Sequence, residues 1–133
     1  MRTRIAPTGE REVWVPMRRK WLVLTPEEEV RRRVVAHLVA HLGVPPTHIV
    51  EEYPVELNGQ HQRADIVVVG PDLKPWLVVE CKAPEVPLTR AVLDQVGRYN
   101  RVIGAPQVVV TNGLEVESYS LTPQGYVAAT FPL

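Results

Sequence analysis

The 133-residue sequence has little cysteine, no long apolar run and no recognisable targeting segment. Its single cysteine excludes an internal disulfide and a cysteine-rich zinc module, and is typical of a protein from a reducing cytoplasm. No apolar run reaches the roughly 18 residues that span a membrane, and no signal peptide is visible. We therefore expect a cytoplasmic protein with no membrane partner.

The sequence also lacks an excess of charge of either sign. It has 15 Lys and Arg residues and 15 Asp and Glu residues, so its formal net charge is zero. A freestanding DNA binder is usually basic, so binding to nucleic acid would depend on local basic patches or on a partner. The Gly-x-x-x-x-Gly-Lys phosphate loop is absent as well, so we expect no ATP to be bound by this chain.

Two segments of the sequence have the pattern of capped helices. Thr25, followed by Pro26 and by Glu28, predicts a helix start with a capping box, and this helix is expected to run to about Leu42 and stop at Gly43. A second helix is predicted over residues 89–103. Residues 1–12 show no periodicity and are expected to form a flexible arm, with residues 13–133 forming a single domain.

Strand patterns occupy most of the remaining sequence. They cover residues 49–57, 62–69, 77–82, 107–111 and 114–121. The second helix crosses over between two of these strands, which should therefore be parallel with a right-handed connection. The sequence thus predicts an α/β fold with a mixed sheet flanked by helices.

Charged residues end two of the apolar strands, where apolar side chains are expected. Asp65 leads the run Ile66–Val69, and Glu80-Cys81-Lys82 ends the next strand. If the intervening hairpin closes with Gly70 opposite Pro75, Asp65 lies directly across from Glu80. Residues two apart share a strand face, so the Lys82 ammonium joins the two carboxylates while the Cys81 thiol points away.

Two carboxylates that close to each other repel and favour a divalent cation. Hydrolysis of a phosphodiester needs a nucleophilic water and relief of charge on the phosphate, and Mg²⁺ held by one or two carboxylates supplies both. Asp65 and Glu80 are the predicted ligands, with the backbone carbonyl of Cys81 as an additional one. Lys82 would position the water or neutralise developing charge. The alternative is a cross-strand salt bridge with no chemistry.

Asp65 followed by Glu80-Cys81-Lys82 resembles the PD-(D/E)xK nuclease motif, with Ala64 in place of its proline. Further segments extend the likeness from about Val13 to Leu121. Together, these segments resemble the N-terminal nuclease domain of type I restriction enzyme R proteins, and most of all small bacterial proteins that consist of that domain alone. The segments concerned are residues 25–31, 63–68, 78–84, 94–100 and 110–113.

The resemblance implies a restriction-endonuclease-like αβββαβ core and Mg²⁺-dependent DNA cleavage, with Mn²⁺ able to substitute. It assigns catalysis to Asp65, Glu80 and Lys82, and makes DNA the substrate. The family's helicase motor has no counterpart in this sequence, so this chain by itself is not expected to translocate on DNA.

The same resemblance implies functional residues on both helices. Gln95 and Tyr99 match a Gln-x-x-x-Tyr motif, and residues four apart share a helix face, so both are expected to contact the DNA backbone. Related nucleases bring a first-helix glutamate to the metal. Glu28 is the candidate here, and Glu27 is its rival because it faces the apolar stripe of the helix more squarely.

Two functions stay open on the sequence. The first is a metal-dependent DNA endonuclease or nuclease subunit. The second keeps the fold but acts as a catalytically silent nucleic-acid-binding or assembly module. The zero net charge favours a protein partner, or a homodimer, in either case.

Overall fold

The nine strands of this protein form two sheets, as seen in a computed structural model that describes residues 1–133. The first sheet is antiparallel and contains β1 (Thr3–Ile5), β2 (Arg11–Val15) and β3 (Lys20–Val23). The second contains, in spatial order, β4 (Ile49–Leu57), β5 (Gln60–Val69), β6 (Pro75–Cys81), β7 (Gln107–Thr111), β8 (Val116–Thr122) and β9 (Gly125–Ala128). The α-helices are α1 (Pro26–Ala40) and α2 (Arg90–Ile103). Neither is long and apolar enough to cross a membrane.

The six-stranded sheet is mixed, as predicted. Strands β6 and β7 are parallel and are joined by α2, whereas all other neighbours in this sheet are antiparallel. Together with the two helices, this order confirms the predicted α/β fold with a restriction-endonuclease-like core.

Helix α1 begins as the sequence predicts, but only half of its capping box forms. The Thr25 hydroxyl accepts a hydrogen bond from the Glu28 backbone N–H at 3.1 Å. The reciprocal bond is missing, because the Thr25 N–H donates to the Val23 carbonyl at 3.0 Å. The Glu28 carboxylate accepts from the Arg31 side chain instead. The helix ends at Ala40, two residues before the predicted Leu42.

Each helix covers one face of the six-stranded sheet. Strand side chains alternate between the faces, so valine runs in the central strands supply apolar surface to both. The α1 layer contains Val30, Val34 and Leu38 of the helix with Ile66, Val68, Leu77, Val79, Cys81 and Val109 of the sheet. The α2 layer contains Val96, Tyr99 and Ile103 with Val67, Val69, Val78, Val108 and Val110.

The β4–β5 ladder bends where Glu52 faces Asp65. Ladder pairs are formed on either side of this point, but Glu52 itself is unpaired and has a left-handed backbone with φ of 54°. Ile49 lies in the α1 layer whereas Val55, also odd-numbered, lies in the α2 layer. Regular alternation along a strand would place these two residues on the same face, so the bend at Glu52 exchanges the two faces of the strand.

The arm predicted for residues 1–12 contains β1 and the start of β2. Trp14 and Trp21 are cross-strand partners in β2 and β3, with ring centroids 5.5 Å apart. The Arg4 guanidinium lies over the Trp21 ring at 4.2 Å. Cation–π contacts of this kind stabilise an edge strand that has no apolar period of its own. Strand β9 likewise occupies the C-terminal tail, which has no recognisable pattern.

Candidate active site

The register of the β5–β6 hairpin brings Asp65 and Glu80 to the same end of the sheet. The pairs Ile66–Val79 and Val67–Val78 have the predicted register. The turn does not close as predicted, because a bulge after Val68 places Val69, rather than Gly70, opposite Pro75. The bulge lies at the turn end, so it leaves the register at the charged end unchanged.

The Asp65 and Glu80 carboxylates each accept a hydrogen bond from the backbone of the opposite strand. The Asp65 backbone N–H donates to Glu80 Oε1 at 2.9 Å, and the Cys81 backbone N–H donates to Asp65 Oδ2 at 2.8 Å. Glu80 is only 4% exposed. Each carboxylate thus holds the backbone of the opposite strand, which fixes the two side chains against each other.

This arrangement is electrostatically costly when both groups are ionised. Burial and the neighbouring Asp65 charge raise the pKa of Glu80 from 4.5 to about 8. Burial also raises the pKa of Asp65, although the Cys81 N–H and the Arg31 charge oppose that rise. Both shifts have the same direction, so the pair favours binding of a proton or of a cation that replaces it.

The Lys82 side chain is half-buried beside this pair. Its backbone N–H donates to the Thr111 carbonyl at 2.9 Å, which continues the pairing of β6 with β7 past Cys81. Its ammonium lowers the pKa of Glu80 and that of Glu27, so it lies within electrostatic reach of both carboxylates. The structure thus brings together the three residues predicted for catalysis.

The glutamates of the first helix turn have different surroundings. Glu28 is 5% exposed, accepts from Arg31 Nε at 2.7 Å, and lies 3.5 Å from Arg32 Nε. Glu27 is exposed as a residue, but partial burial of its carboxyl group, followed by the Asp65 charge, raises the pKa of that group. Glu28 is therefore held by arginines of its own helix, whereas the Glu27 carboxyl group lies within electrostatic reach of Asp65.

A buried network of ion pairs between α1 and β4 was not predicted. Arg31 donates to Glu28 and Glu52, and Arg32 donates to Glu51. The Arg31 charge also opposes the raised pKa of Asp65. The partners lie 19 and 21 residues apart in sequence, so no local pattern indicates the pairing. The only available signal was the occurrence of adjacent arginines and adjacent glutamates on elements expected to be partly buried.

Gln95 and Tyr99 are bonded to each other on α2. Gln95 Nε2 donates to the Tyr99 hydroxyl at 3.1 Å. Tyr99 is only 6% exposed and packs in the α2 layer, and its predicted contact with the DNA backbone stays a prediction. Burial and the Glu80 charge raise the pKa of its hydroxyl, which places that hydroxyl near the carboxylate pair. Gln95 is half-buried and remains accessible.

Cys81 points away from the Glu80 face, as predicted. Its thiol is 1% exposed in the α1 layer, and burial raises the pKa of that thiol well above its usual value. A buried thiol with a raised pKa is a packing group rather than a nucleophile. Cys81 contributes to the site through its backbone N–H, which donates to the Asp65 carboxylate.

The paired carboxylates offer the oxygen donors that Mg²⁺ and Mn²⁺ prefer. Mg²⁺ is commonly held by one or two carboxylates and several waters, and the Asp65–Glu80 pair offers that donor set. No group of three or more His, Cys, Asp or Glu side chains converges anywhere in the chain, so a cage built only from protein side chains is absent. Contributions from the Cys81 carbonyl and from a first-helix glutamate stay predictions.

Comparison with known proteins identifies relatives of both the sequence and the fold. The sequence matches the family described as type I restriction enzyme R protein N terminus (HSDR_N) over residues 26–130. A similar structure is a fragment described as the HsdR subunit of a type I restriction enzyme from Vibrio vulnificus YJ016. Its TM-score is 0.60 at 24% identity, over 82% of this chain and 24% of that chain. No curated protein matches.

A second structural relative matches most of both chains. It belongs to DUF820, comes from Anabaena variabilis ATCC 29413, and is described as a candidate nuclease. Its TM-score is 0.54 at 12% identity, over 92% of this chain and 80% of that chain. At these identities the likeness shows the fold. This chain spans about a quarter of the length of the Vibrio chain.

Proposed function

Because the chain belongs to the family of type I restriction enzyme R protein N termini, we propose that it is a metal-dependent DNA endonuclease or nuclease subunit. It would hydrolyse phosphodiester bonds, either alone or with a protein partner or a second copy of itself. The observation that carries this proposal is the Asp65–Glu80 pair, in which each carboxylate accepts from the backbone of the opposite strand, with the Lys82 charge within electrostatic reach.

The residues of the site divide the work of hydrolysis between them. Asp65 and Glu80 would hold Mg²⁺ or Mn²⁺, which supplies a nucleophilic water at neutral pH and neutralises charge on the phosphate. Lys82 would stabilise negative charge that develops on the phosphate oxygens, because its ammonium lies within electrostatic reach of Glu80. Gln95 contacts the DNA backbone, and the Tyr99 hydroxyl holds the Gln95 amide in place.

Cleavage of supercoiled plasmid DNA in Mg²⁺ or Mn²⁺ tests this proposal. Lys82→Ala and Asp65→Asn should each lower the cleavage rate on the order of 10²–10³-fold, as expected for loss of one charged group at a reacting centre. Lys74→Ala is the matched control for Lys82→Ala, because Lys74 is an exposed lysine in the β5–β6 turn. Equal rates for Lys82→Ala and wild type would contradict the assignment of the site.

A catalytically silent module that binds nucleic acid or takes part in assembly is the second candidate function, for one structural reason. The Glu28 carboxylate is held by arginines, and no third side-chain ligand of its kind joins Asp65 and Glu80. The same assay separates the two functions. Binding of duplex DNA with no metal-dependent cleavage, in the presence of either cation, would favour the silent module.

A further inference from the structure

A groove of about 690 Å³ lies between α2 and the outer strands β8 and β9. Arg98 and Arg101 of the helix line it on one side, and Tyr119 and Tyr126 of the strands line it on the other. Both arginines are exposed, and neither forms an ion pair or a side-chain hydrogen bond within the chain. The groove therefore carries two positive charges that the protein itself does not neutralise.

Nearby acidic side chains are already engaged. Asp94 accepts from Arg90 at 2.9 Å, and Glu117 accepts from the Tyr119 hydroxyl at 3.4 Å. They compensate neither Arg98 nor Arg101 directly. In a chain whose formal net charge is zero, this local surplus favours an anionic ligand.

Gly97 is a second and independent sign that something approaches this groove. It lies in the interior of α2 and, like Leu93 and Arg98 of the same helix, it lines the groove. A Cβ atom built at Gly97 would meet no atom within 4 Å, so packing within the chain does not require glycine there. Helix propensity favours almost any other residue except proline. An open position of this kind leaves room for a ligand to approach the backbone closely.

The groove lies along the same helix that carries Gln95 and Tyr99, although neither of these two residues lines it. The Arg98 charge lowers the pKa of Tyr99, whose hydroxyl holds Gln95, so Arg98 lies close to the predicted DNA contact. From Gln95 to Arg101 the helix rises roughly 9 Å. That length corresponds to about three base pairs of duplex DNA.

We propose that the α2–β8–β9 groove binds the phosphate backbone of the duplex that flanks the cleaved bond. This inference rests on the proposed nuclease function. Arg98 and Arg101 are the phosphate ligands, and Gly97 allows the backbone to approach the helix. The duplex would then run from the Asp65–Glu80 pair toward the C-terminal end of α2.

Binding of a fluorescein-labelled duplex of mixed sequence tests the groove separately from catalysis. The measurement uses the full chain in the Lys82→Ala background with Mg²⁺, so that the duplex is not cut. Adding Arg98→Ala and Arg101→Ala together should raise Kd on the order of tenfold or more near 0.1 M salt. The slope of log K against log salt concentration should become shallower by about two.

The matched control is Arg11→Ala with Arg33→Ala in the same background. It removes the same two charges from exposed positions outside the groove, so Kd should stay within about twofold of the background and the salt slope should be unchanged. Equal losses in both double variants would overturn the proposal. So would competition by polyglutamate as strong as competition by duplex DNA, because the groove would then recognise an acidic protein.

Substitution of Gly97 separates stability from binding. Gly97→Gln should raise or preserve the melting temperature, because glutamine favours the helix and its side chain meets open space. It should nevertheless weaken DNA binding by filling the groove. Unchanged binding in a stable Gly97→Gln protein would overturn the proposal. Groove-dependent binding without plasmid cleavage by wild type would support the groove and favour the silent module over the nuclease. Plasmid cleavage with binding that does not depend on the groove would support the nuclease function and overturn the groove proposal.

Discussion

The environment of Glu80 in the folded protein disfavours the ionised carboxylate that the proposed function requires. That carboxylate is the one that a bound cation needs, yet burial beside Asp65 opposes its ionisation. The pKa values of Asp65 and Glu27 are also raised, so all three carboxyl groups bind protons more tightly in the folded protein than in the unfolded chain. Sites that must concentrate charge commonly show pKa values displaced in this way.

This conflict predicts that the metal-free protein loses stability as the pH rises. The pKa of Glu80 is 4.5 when unfolded and about 8 when folded, so the folded state binds more protons between these values. The stabilisation is fully present below the lower value and is lost progressively toward the upper one. Urea denaturation in EDTA across this pH range measures the change.

Glu80→Gln is the control for that pH dependence. The amide does not ionise, so the free energy of unfolding should vary less steeply with pH in the variant than in wild type. A wild-type stability that increases with pH over the same range would contradict the assigned environment of Glu80.

Strand geometry made Asp65, Glu80 and Lys82 predictable from the sequence. Alternation fixes which residues share a face, and the hairpin fixes which residues are opposed. Glu27 and Glu28 could not be separated in this way. Their environments depend on arginines whose partners come from β4, about 20 residues away, and that pairing has no local signal.

Among the secondary-structure elements, α1 and β4 are joined by charges rather than by apolar side chains alone. Arg31 is shared between Glu28 of its own helix and Glu52 at the bend of β4. Arg31→Ala should therefore lower the free energy of unfolding by about 3 kcal/mol, because Glu52 loses its charged partner and the buried Glu28 keeps only Arg32. Urea denaturation with and without the substitution measures this effect.

Arg33→Ala is the matched control on the same helix. Arg33 pairs with Glu29, but its side chain is 73% exposed, and exposed pairs contribute at most about 1 kcal/mol. Comparable losses for Arg31→Ala and Arg33→Ala would mean that the buried network does not clamp the helix to the strand.

The boundaries of the elements were predictable where a local signal marks them. Gly104, with φ of 75°, ends α2 at the predicted residue, and Thr25 with Pro26 starts α1. Strands β1 and β9 were not predicted because their pairing depends on partners elsewhere in the chain. The bend at Glu52 was also missed, since an ordinary glutamate gives no sign of a left-handed backbone.

At the scale of the whole molecule, divalent metal should stabilise the fold. A ligand that binds only the folded state adds RT ln(1 + [L]/Kd), about 2.7 kcal/mol at a hundredfold excess over Kd. For a chain of 133 residues this corresponds to a melting temperature higher by roughly 5–10 °C. Thermal melts with and without several millimolar Mg²⁺ or Mn²⁺ measure the shift.

Asp65→Ala supplies the control for the metal effect. The variant should show no metal-dependent shift, and its metal-free melting temperature should equal or exceed that of wild type, because repulsion with Glu80 is relieved. Equal metal-dependent shifts in both proteins would place the metal elsewhere in the chain.

The position of the acidic pair on one hairpin also bears on the order of folding. Asp65 and Glu80 lie only 15 residues apart in sequence. The parallel pairing of β6 with β7 joins residues about thirty apart, such as Val79 and Val109, and α2 lies between them in the chain. Closing the shorter loop costs less chain entropy, so the hairpin can form before the parallel pairing does. The two acids would then meet in a nucleus still open to water, where their repulsion is weak, and would be desolvated only when α2 docks. Mutations that disturb the pair should accordingly alter the unfolding rate more than the folding rate.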